Sequence, residues 1–355
     1  MDDSFDTLIA SAILAPSGDN TQPWRFVVDR RASQISIFVN ESRDRSAMNA
    51  GQRMSRIACG AAAENLIQSS RSQLWNVRLA PAISGALLTL HLEKGELSPA
   101  ASTPQTEAIA ARITNRRKYN GTPLPAPVLE ELRQAAPKIE GVTTHWICDR
   151  GRLTALALLV GQSDALMFGD PSIRKAFFSN VRFDAAADAR VADGLSMASL
   201  ELSFVDRVAL RMVSRSPDWI VRLLGLTRSF NSHARKLIES SSGLCLIATA
   251  TKSNEMDVSA GRALQRAWLA LTVKSMAAQP MMSLLVLSNI LDHGSPEIIA
   301  AIGAEKINSL LEKFRALVPE IGSDFTAFIL RFGYAAAPSG QTGRLPVSAV
   351  RENKL

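Results

Sequence analysis

The chain has 355 residues, of which 46% are hydrophobic and 21% are charged, and its formal net charge is +7 at pH 7. This composition excludes an intrinsically disordered chain, and the length predicts roughly two domains of about 100–200 residues each. The three cysteines, Cys59, Cys148 and Cys245, are too widely spaced for a disulfide framework or a structural zinc site.

The charge distribution and the hydropathy of the sequence also limit which binding partners and which cellular location we expect. The positive charges are dispersed along the sequence rather than gathered into one stripe, so we expect no nucleic-acid partner. The sequence does not open on a basic region followed by an apolar stretch, and the apolar run near 281–291 is shorter than the ~20 residues that cross a bilayer. We therefore expect a cytoplasmic protein without a membrane partner.

A predicted helix at 8–15 leads into a dense run of turn formers, 15–26 (APSGDNTQPWRF), here named the first loop. Turn formers at this density predict a fixed loop whose backbone N–H groups are exposed. Ser17, Asn20 and Gln22 add donors and acceptors of short reach. This combination favours a flat ligand rich in heteroatoms over a metal ion or a phosphate alone.

Short β-branched or aromatic segments between turn residues predict strands at 25–29, 34–40, 76–80, 86–93, 142–148, 244–250 and 327–334. Helical periodicity dominates between them, which predicts an α+β fold. Two segments rich in small residues, 58–66 and 259–269, are each predicted to open a helix that packs closely on a neighbour. The change to Ser, Pro and Ala at 95–104 predicts a domain boundary.

A second motif lies at 111–119, here named the arginine segment, and has the pattern Arg112-x-Thr114-x-Arg116. Arginine side chains with an interleaved hydroxyl match the oxygens of a phosphate. The same pattern is also typical of a solvated basic helix end, and the residues alone leave both interpretations open. A nucleic-acid patch is disfavoured because Tyr119 is the one aromatic residue in the segment.

A faint internal repeat relates the two halves of the sequence. The helix at 8–15 before the first loop is matched by a predicted helix at 129–136 before 137–146, and the two segments rich in small residues match each other. Segment 170–235 has no counterpart in the first half. We interpret it as an insertion that forms a lid, a partner surface or a peripheral helical pair.

The first loop resembles the flavin-contacting loop of the nitroreductase family in residues Pro16, Ser17, Asn20, Gln22, Pro23 and Trp24. The arginine segment resembles the phosphate-binding Arg-x-Ser-x-Arg segment of that family, with Thr114 in place of the Ser. Segment 279–283 resembles the family backbone that runs beside the reactive N5 of the flavin. Arg344, which follows the last predicted strand, resembles the family's phosphate-contacting basic residue.

Nitroreductases are typically homodimers in which one subunit holds the phosphate of FMN and the other supplies the loop. The resemblance therefore implies a nitroreductase-like α+β fold of two fused, diverged halves, 1–104 and 105–355, that form a pseudo-dimer with one composite FMN site. The altered loop at 137–146 implies that a second site is lost. The arrangement is similar to the tandem Acg-type subgroup of nitroreductase-like proteins, in which an insertion (here 170–235) forms a helical lid.

The resemblance implies an FMN-dependent oxidoreductase that passes hydride from NADH or NADPH through FMN to a small organic acceptor of the nitro or quinone type. The alternative is an FMN-binding or FMN-sequestering protein in which the lid covers the flavin and turnover is small. A third hypothesis is an interaction module with a vestigial site, which predicts a protein without flavin.

The residues expected to bind the cofactor are Ser17, Asn20, Gln22, Arg112, Thr114, Arg116, Pro280, Met281, Met282 and Arg344. We name no catalytic side chain and no metal ligand, because the flavin carries the redox chemistry. His145, His233 and His293 are isolated, and without a Gly-x-Gly-x-x-Gly motif a Rossmann NAD fold is not expected. A fused chain already contains the dimer interface, so we expect a monomeric pseudo-dimer or a weak homo-oligomer with a small-molecule substrate.

Overall fold

The computed structural model describes residues 4–73, 75–95, 103–135, 138–184, 192–223, 225 and 227–354. Most of the predicted boundary at 95–104 lies outside these residues, as do Pro137 of the altered loop and positions 185–191 of the predicted insertion. Across the described residues, every helix is too short or too polar to span a lipid bilayer.

The described helices are α1 (Ser4–Ala12), α2 (Arg53–Ser72), α3 (Pro104–Ala111), α4 (Ala126–Ala135), α5 (Arg150–Met167), α6 (Pro171–Ser179), α7 (Phe204–Arg215), α8 (Asp218–Leu223), α9 (Thr227–Glu239), α10 (Asn254–Val273), α11 (Ser283–His293), α12 (Pro296–Ile302), α13 (Ala304–Leu317) and α14 (Val347–Val350). The strands are β1 (Trp24–Asp29), β2 (Gln34–Val39), β3 (Trp75–Ala80), β4 (Leu88–Lys94), β5 (Val142–Ile147), β6 (Val181–Arg182), β7 (Leu195–Ser196), β8 (Gly243–Thr249), β9 (Ala277–Pro280), β10 (Phe325–Gly333) and β11 (Arg351–Asn353).

Two mainly antiparallel sheets organise the chain. The first has the order β11-β1-β2-β4-β3, in which β11 pairs with β1 in parallel and the other pairs are antiparallel. The second has the order β5-β8-β10-β9 and is antiparallel throughout. Helices lie between and around the sheets, so the predicted α+β class is confirmed. Because β11 comes from the end of the chain, the first sheet contains residues of both predicted halves.

The second sheet forms the centre of the larger core. Every position of β8 is buried, because β5 and β10 cover its edges and helices cover its faces. Leu244 and Leu246 join the cluster that contains α5, whereas Cys245 and Ile247 point to the cluster that contains α10. Successive residues of a strand face opposite sides, so a central strand between two helical layers needs apolar residues throughout.

The long helices α2 and α10 cross at two glycines. A Cβ placed on Gly60 would lie 2.1 Å from the carbonyl oxygen of Val258, and a Cβ placed on Gly261 would lie 1.9 Å from that of Ile57. Each glycine is therefore required by the close approach of the other helix's backbone. The two contacts are reciprocal. Position 60 is equivalent to position 261, and position 57 to position 258, and the members of each pair are 201 residues apart.

Buried ion pairs flank this crossing. Two arginines of each helix hold one carboxylate of the other, with N···O distances of 2.7–3.1 Å: Arg53 and Arg56 with Asp257, and Arg262 and Arg266 with Glu64. Each buried carboxylate thus has two charge-assisted partners, which offset the cost of removing it from water. The pairs fix the register of α2 against α10.

The seven predicted strands are confirmed, with ends that differ by one or two residues. The predicted helix starts at 58 and 259 are wrong, because α2 begins at Arg53 and α10 at Asn254. For α10 the sequence contained a recognisable start, since the hydroxyl of Ser253 accepts a hydrogen bond from the backbone N–H of Met256. The predicted helix at 8–15 ends earlier, at Ala12.

Sequence analysis missed β9 and β11 because neither segment is β-branched or bounded as a typical strand. They are strands through pairing alone, β9 with β10 and β11 with β1. Within segment 170–235, residues 204–215 form α7, and the short parallel pair of β6 and β7 was not predicted.

Candidate functional site

A cavity of about 430 Å³, a volume in the range of small-molecule sites, lies where distant stretches of the chain meet. Its lining comes from the first loop, the start of α2, the arginine segment, the β9–α11 junction, the predicted insertion and the turn at 340–344. Nine of the ten residues expected to bind a cofactor line it, namely Ser17, Asn20, Arg112, Thr114, Arg116, Pro280, Met281, Met282 and Arg344. The fold thus brings the first loop and the arginine segment together, and the binding role of these residues stays a prediction.

The first loop keeps its shape through three residues other than glycine with positive φ: Asp19 (44°), Asn20 (56°) and Gln22 (52°). Asp and Asn tolerate this left-handed conformation better than most residues, because their short polar side chains bond locally. The hydroxyl of Ser17 accepts a hydrogen bond from the backbone N–H of Gln22 at 3.0 Å and closes the loop. Strained backbone of this kind clusters at functional sites.

The side chain of Asn20 ties the loop to two other parts of the site. Its Nδ2 donates to the carbonyl of Gly194 at 3.1 Å and to that of Gly343 at 3.2 Å. Its Oδ1 accepts from Nη1 of Arg344 at 2.9 Å. Asn20 therefore positions a guanidinium at the cavity wall.

Gln22 does not line the cavity, in contrast to the other residues expected to bind a cofactor. The side chain is fully buried; its Nε2 donates to the carbonyl of Ala192 at 2.8 Å, and its Oε1 accepts from the backbone N–H of Leu345 at 2.9 Å. With both ends of the carboxamide engaged by the protein, Gln22 braces the first loop against the insertion and the C-terminal segment.

Arg112 is buried under the cavity and incompletely satisfied. Its Nη2 donates to the carbonyl of Leu14 at 2.8 Å, and its guanidinium lies 4.7 Å from the centre of the Trp268 ring. Its Nε and Nη1 have no hydrogen-bond partner among the described residues. Buried N–H groups are almost always paired, so these two donors indicate a ligand with acceptor oxygens.

Two further arginines complete a cationic end of the cavity. Arg344 donates from Nη1 to the hydroxyl of Thr342 at 2.9 Å, and its Nε is buried without a described partner. Arg116 donates from Nη1 to the carbonyl of Ser199 at 3.0 Å. We name Arg112, Arg116 and Arg344 the arginine cluster.

Burial shifts the ionisation of this cluster. Burial and the charge of Arg344 lower the pKa of Arg112 to about 9, and burial lowers the pKa of Arg344 to about 10. Burial raises the pKa of Asp19 to about 6, and the positive charge of Arg116 only partly opposes this rise. The carboxylates of Asp19 and Glu201 act on Arg116, whereas no carboxylate raises the pKa of Arg112 or Arg344, so an anionic ligand would stabilise these two buried cations.

A buried arginine outside the cavity holds the arginine segment in place. Arg331 of β10 is fully buried, donates from Nη2 to the carbonyl of Arg117 at 2.7 Å and from Nε to Oε1 of Gln279 at 2.8 Å. Its guanidinium stacks 3.8 Å from the centre of the Tyr119 ring. The backbone N–H of Asn115 also donates to the carbonyl of Ala278 in β9, at 3.0 Å. These contacts place the arginine segment beside β9.

Another part of the cavity lining, here named the apolar wall, is aromatic and aliphatic. Phe168 stacks on Phe230 with ring centres 4.6 Å apart and meets Phe177 edge-on at 5.3 Å. Met281 and Met282 form the adjoining wall, directly before α11. A ligand that combines an anionic group with a flat apolar body would match both the arginine cluster and the apolar wall.

Sequence analysis missed Asp164 as a candidate ligand contact and included Ser283 only through the backbone of segment 279–283, although both residues line the cavity. A pattern for Asp164 was present: it falls on the buried stripe of α5, where Ala157, Val160 and Met167 have helical spacing. A carboxyl on an apolar stripe indicates a functional position, because an uncompensated buried charge is costly.

The insertion contacts the cavity through residues 192–202, here named the cover segment. Asp193 is held by Arg43 and Arg182, each at 2.6 Å, and the backbone N–H of Gly194 donates to the carbonyl of Asn20 at 3.3 Å. Leu195, Ser199, Leu200 and Leu202 of this segment line the cavity. The cover segment is thus hydrogen-bonded to the first loop and forms part of the wall.

No protein-family model matches the chain. It is 26% identical over 343 residues to the uncharacterised protein MT1398 of Mycobacterium tuberculosis. That match covers 93% of this chain and 45% of the relative, so the chain spans about half the length of the curated protein it matches.

Two solved structures align with the chain at a TM-score of 0.35 each. The first is a nitroreductase with bound FMN from Bacteroides fragilis; it is 14% identical, and the alignment covers 66% of this chain and 89% of that chain. The second is the FMN-dependent nitroreductase NfnB from Mycobacterium smegmatis in complex with NADPH; it is 15% identical, and the alignment covers 70% of this chain and 92% of that chain. At these identities and TM-scores, the likeness assigns no role to any residue of this chain.

Proposed function

We propose that the chain is an FMN-dependent oxidoreductase that passes hydride from NADH or NADPH through FMN to a small organic acceptor of the nitro or quinone type. The observation that carries this proposal is that the buried Nε and Nη1 donors of Arg112 have no described partner, in a cavity that Arg344 and the apolar wall also line. A phosphate would accept from these donors, and the flat ring of a flavin suits the apolar wall.

In this proposal the arginine cluster and Thr114 hold the phosphate, Ser17 and Asn20 contact the ribityl chain and ring, and Pro280 to Met282 lie against the ring. FMN, when bound, supplies the reversible uptake of a hydride. The protein's residues bind and orient the cofactor, and the cover segment limits the access of water. Gln22 supports the loop from outside the cavity.

We further propose that the chain is a pseudo-dimer of two diverged halves with a nitroreductase-like fold. The reciprocal crossing of α2 and α10, with Gly60 against Val258 and Gly261 against Ile57, has the pattern of a self-complementary two-fold interface. A cavity that both the first loop and the arginine segment line supports a composite site in the chain. A chain that already contains this interface is expected to be a monomer or a weak homo-oligomer.

The direct test is the amount of FMN bound per chain, measured by titration of flavin-free protein. Arg112→Gln should weaken binding about 10- to 100-fold, because a hydrogen bond to a charged group contributes roughly 1.5–3 kcal/mol. Arg71→Gln, at an exposed position in the last turn of α2, is the matched control and should bind as the wild type does. Unchanged FMN affinity in Arg112→Gln would remove the phosphate assignment.

A second candidate function is FMN sequestration with little turnover. The contacts of the cover segment favour it, because Gly194 donates to Asn20 of the first loop and Asp193 pairs with Arg43, which in turn donates to the carbonyl of Thr21 in that loop. Mixing the FMN-loaded protein with NADPH, and separately with NADH, without oxygen distinguishes the two functions. Rapid bleaching of the flavin spectrum supports the oxidoreductase, whereas a flavin that neither nucleotide reduces supports sequestration.

A further inference from the structure

Asp164 and Ser283 form a polar pair in the apolar wall of the cavity. Asp164 lies in the last turn of α5, one turn before Phe168, and Ser283 is the first residue of α11, directly after Met281 and Met282. Both line the same cavity as the arginine cluster. Neither residue has a role in the binding of the phosphate proposed above.

Ser283 is only 4% exposed, and its buried hydroxyl has no hydrogen bond of normal geometry among the described residues, although it lies close enough to Asp164 to influence its ionisation. Unpaired buried hydroxyls are rare because the group loses its hydrogen bonds to water. A polar pair that lies one turn from Phe168 and directly after Met282, with spare hydrogen-bonding capacity, is suited to a ligand atom that needs one polar contact beside an apolar wall.

Burial raises the pKa of Asp164 to about 7, and the nearby Ser283 hydroxyl opposes that rise. The position at the carboxyl end of α5 acts in the same direction as burial, because the helix dipole disfavours a negative charge there. The other titratable side chains of the described cavity lining are Asp19, Asp44, His233 and the arginine cluster, and none of them contributes to this shift. Near neutral pH, Asp164 can therefore be a neutral acid that gives up its proton.

We propose that Asp164 is the proton donor of this site and that it protonates an oxygen of an uncharged aromatic nitro compound bound against the apolar wall. Ser283 orients the nitro compound. This inference rests on the proposed oxidoreductase function. It assigns a catalytic side chain where sequence analysis named none.

The step balances as follows for a nitro group. The acceptor takes up a hydride from the reduced flavin, which is oxidised by two electrons, and a nitro oxygen takes up the proton of the Asp164 carboxyl. Two O–H bonds form on that oxygen, one with the hydride and one with the proton, its N–O bond breaks, and water leaves, so that the nitro group becomes a nitroso group. Asp164 remains as a carboxylate and recovers its proton from solvent.

The test isolates the reaction with the acceptor from the reaction with nicotinamide. Wild type, Asp164→Asn and the control Asp292→Asn are loaded with FMN, reduced with dithionite and mixed with nitrofurazone between pH 5 and pH 9. Asp292 is a carboxylate on α11 outside the cavity lining that pairs with Lys252. The rate of flavin reoxidation is followed in a stopped-flow instrument.

For wild type and Asp292→Asn we expect the rate of flavin reoxidation to fall about tenfold per pH unit above pH 7. Asp164→Asn should react about 100-fold more slowly at pH 6 and should lack this dependence on pH, because its general acid has been removed. A slope that survives in Asp164→Asn comes from another group and overturns the proposal, as does an unchanged rate at pH 6. Melting temperature and FMN content report whether Asp164→Asn is folded and loaded.

A readout independent of the flavin is the infrared absorbance of protonated carboxyl groups, recorded on flavin-free protein from pH 5 to pH 9. Wild type should lose a carbonyl band near pH 7 that Asp164→Asn lacks and Asp19→Asn retains. Absence of that band in the wild type overturns the assignment of the proton to Asp164. If the band is present but reduced wild type is not reoxidised by nitrofurazone, the proposed function has failed and the proton-donor role fails with it.

Discussion

Arg112 lies over Trp268 with two N–H groups that no described atom accepts. A buried donor without a partner costs about 1–3 kcal/mol, which is a large share of the stability of a typical domain. The neighbouring Arg344 adds like-charge repulsion and helps to lower the pKa of Arg112. At this scale the chain retains a local cost to stability that a ligand with acceptor oxygens removes, which is the main physical reason to regard the cavity as a binding site.

The raised pKa of Asp19 predicts a pH dependence of stability. In the folded state the carboxyl of Asp19 has a pKa of about 6, whereas its ordinary value is 3.8. Protonated Asp19 therefore makes its full contribution to the free energy of unfolding below about pH 4, and this contribution is lost as the pH rises through 6. Asp19→Asn cannot ionise and keeps the side chain that tolerates a positive φ. Its free energy of unfolding, measured in urea, should fall less than that of the wild type between pH 4 and pH 8.

The control for this experiment is a variant of Asp29, whose contribution to stability depends on pH in the opposite direction. A hydrogen bond from Lys354 lowers the pKa of Asp29. The stability that ionised Asp29 contributes is therefore present above the ordinary pKa of the carboxyl and is lost as the pH falls. Asp29→Asn should therefore lose stability at pH 7 and match the wild type in acid. If Asp19→Asn and the wild type follow the same curve, burial does not raise the pKa of Asp19.

At the scale of elements, the crossing of α2 and α10 holds the two parts of the chain together. The glycines let the two backbones touch, and the ion pairs of Asp257 and Glu64 flank the contact on both sides. The cavity depends on this crossing, because Ile57 and Ala58 of α2 line it together with Leu264 of α10. A shift of either helix would displace the wall under the arginine cluster.

Gly60→Ala should destabilise the chain by about 3 kcal/mol or more, since overpacking costs roughly 1–3 kcal/mol and here a methyl group meets a backbone carbonyl that cannot rotate away. Gly261→Ala should behave alike. Gly151→Ala, near the start of α5, is the matched control: its Cβ meets nothing closer than 3.4 Å, so the better helix propensity of Ala should stabilise it slightly. Equal unfolding midpoints for Gly60→Ala and Gly151→Ala would contradict the close crossing.

At the scale of the whole molecule, one small segment joins the insertion to both ends of the chain. The cover segment bonds to the first loop through Gly194, and its Glu201 pairs with Arg117 at 3.2 Å and accepts a hydrogen bond from the hydroxyl of Ser339 at 3.1 Å. Segments that rest on a few polar contacts open more readily than the core does. Access to the cavity is therefore expected to follow the opening of the cover segment.

Asp193→Ala removes the contacts with Arg43 and Arg182 and should make this opening about 10-fold more frequent, as for the loss of a charged hydrogen bond of roughly 1.5 kcal/mol. Hydrogen–deuterium exchange of the amides of residues 192–202 measures this directly in flavin-free protein. Glu239→Gln, which removes an exposed pair with Arg235 on α9, is the control and should leave these amides unchanged. Equal exchange in Asp193→Ala and the wild type would show that Asp193 does not hold the cover segment.

The local features of this protein could be predicted from its sequence. Alternation and turn residues located seven strands to within one or two residues, because strand burial repeats every second position. The turn formers of the first loop and the spacing of Arg112 and Arg116 marked two motifs, which depend on neighbouring residues alone. Their resemblance to a known family paired the two motifs before any contact between them was visible.

Only the tertiary structure decided the rest. It turned Gln22 away from the cavity, since the partners that engage its carboxamide, Ala192 and Leu345, are about 170 and 323 residues away in sequence. It made a strand of Ala277–Pro280 through pairing with β10 and placed Ser283 beside Asp164 across more than a hundred residues. Pairings of this kind depend on how distant elements pack, and a periodic pattern within one element carries no information about which residue of another element it will meet.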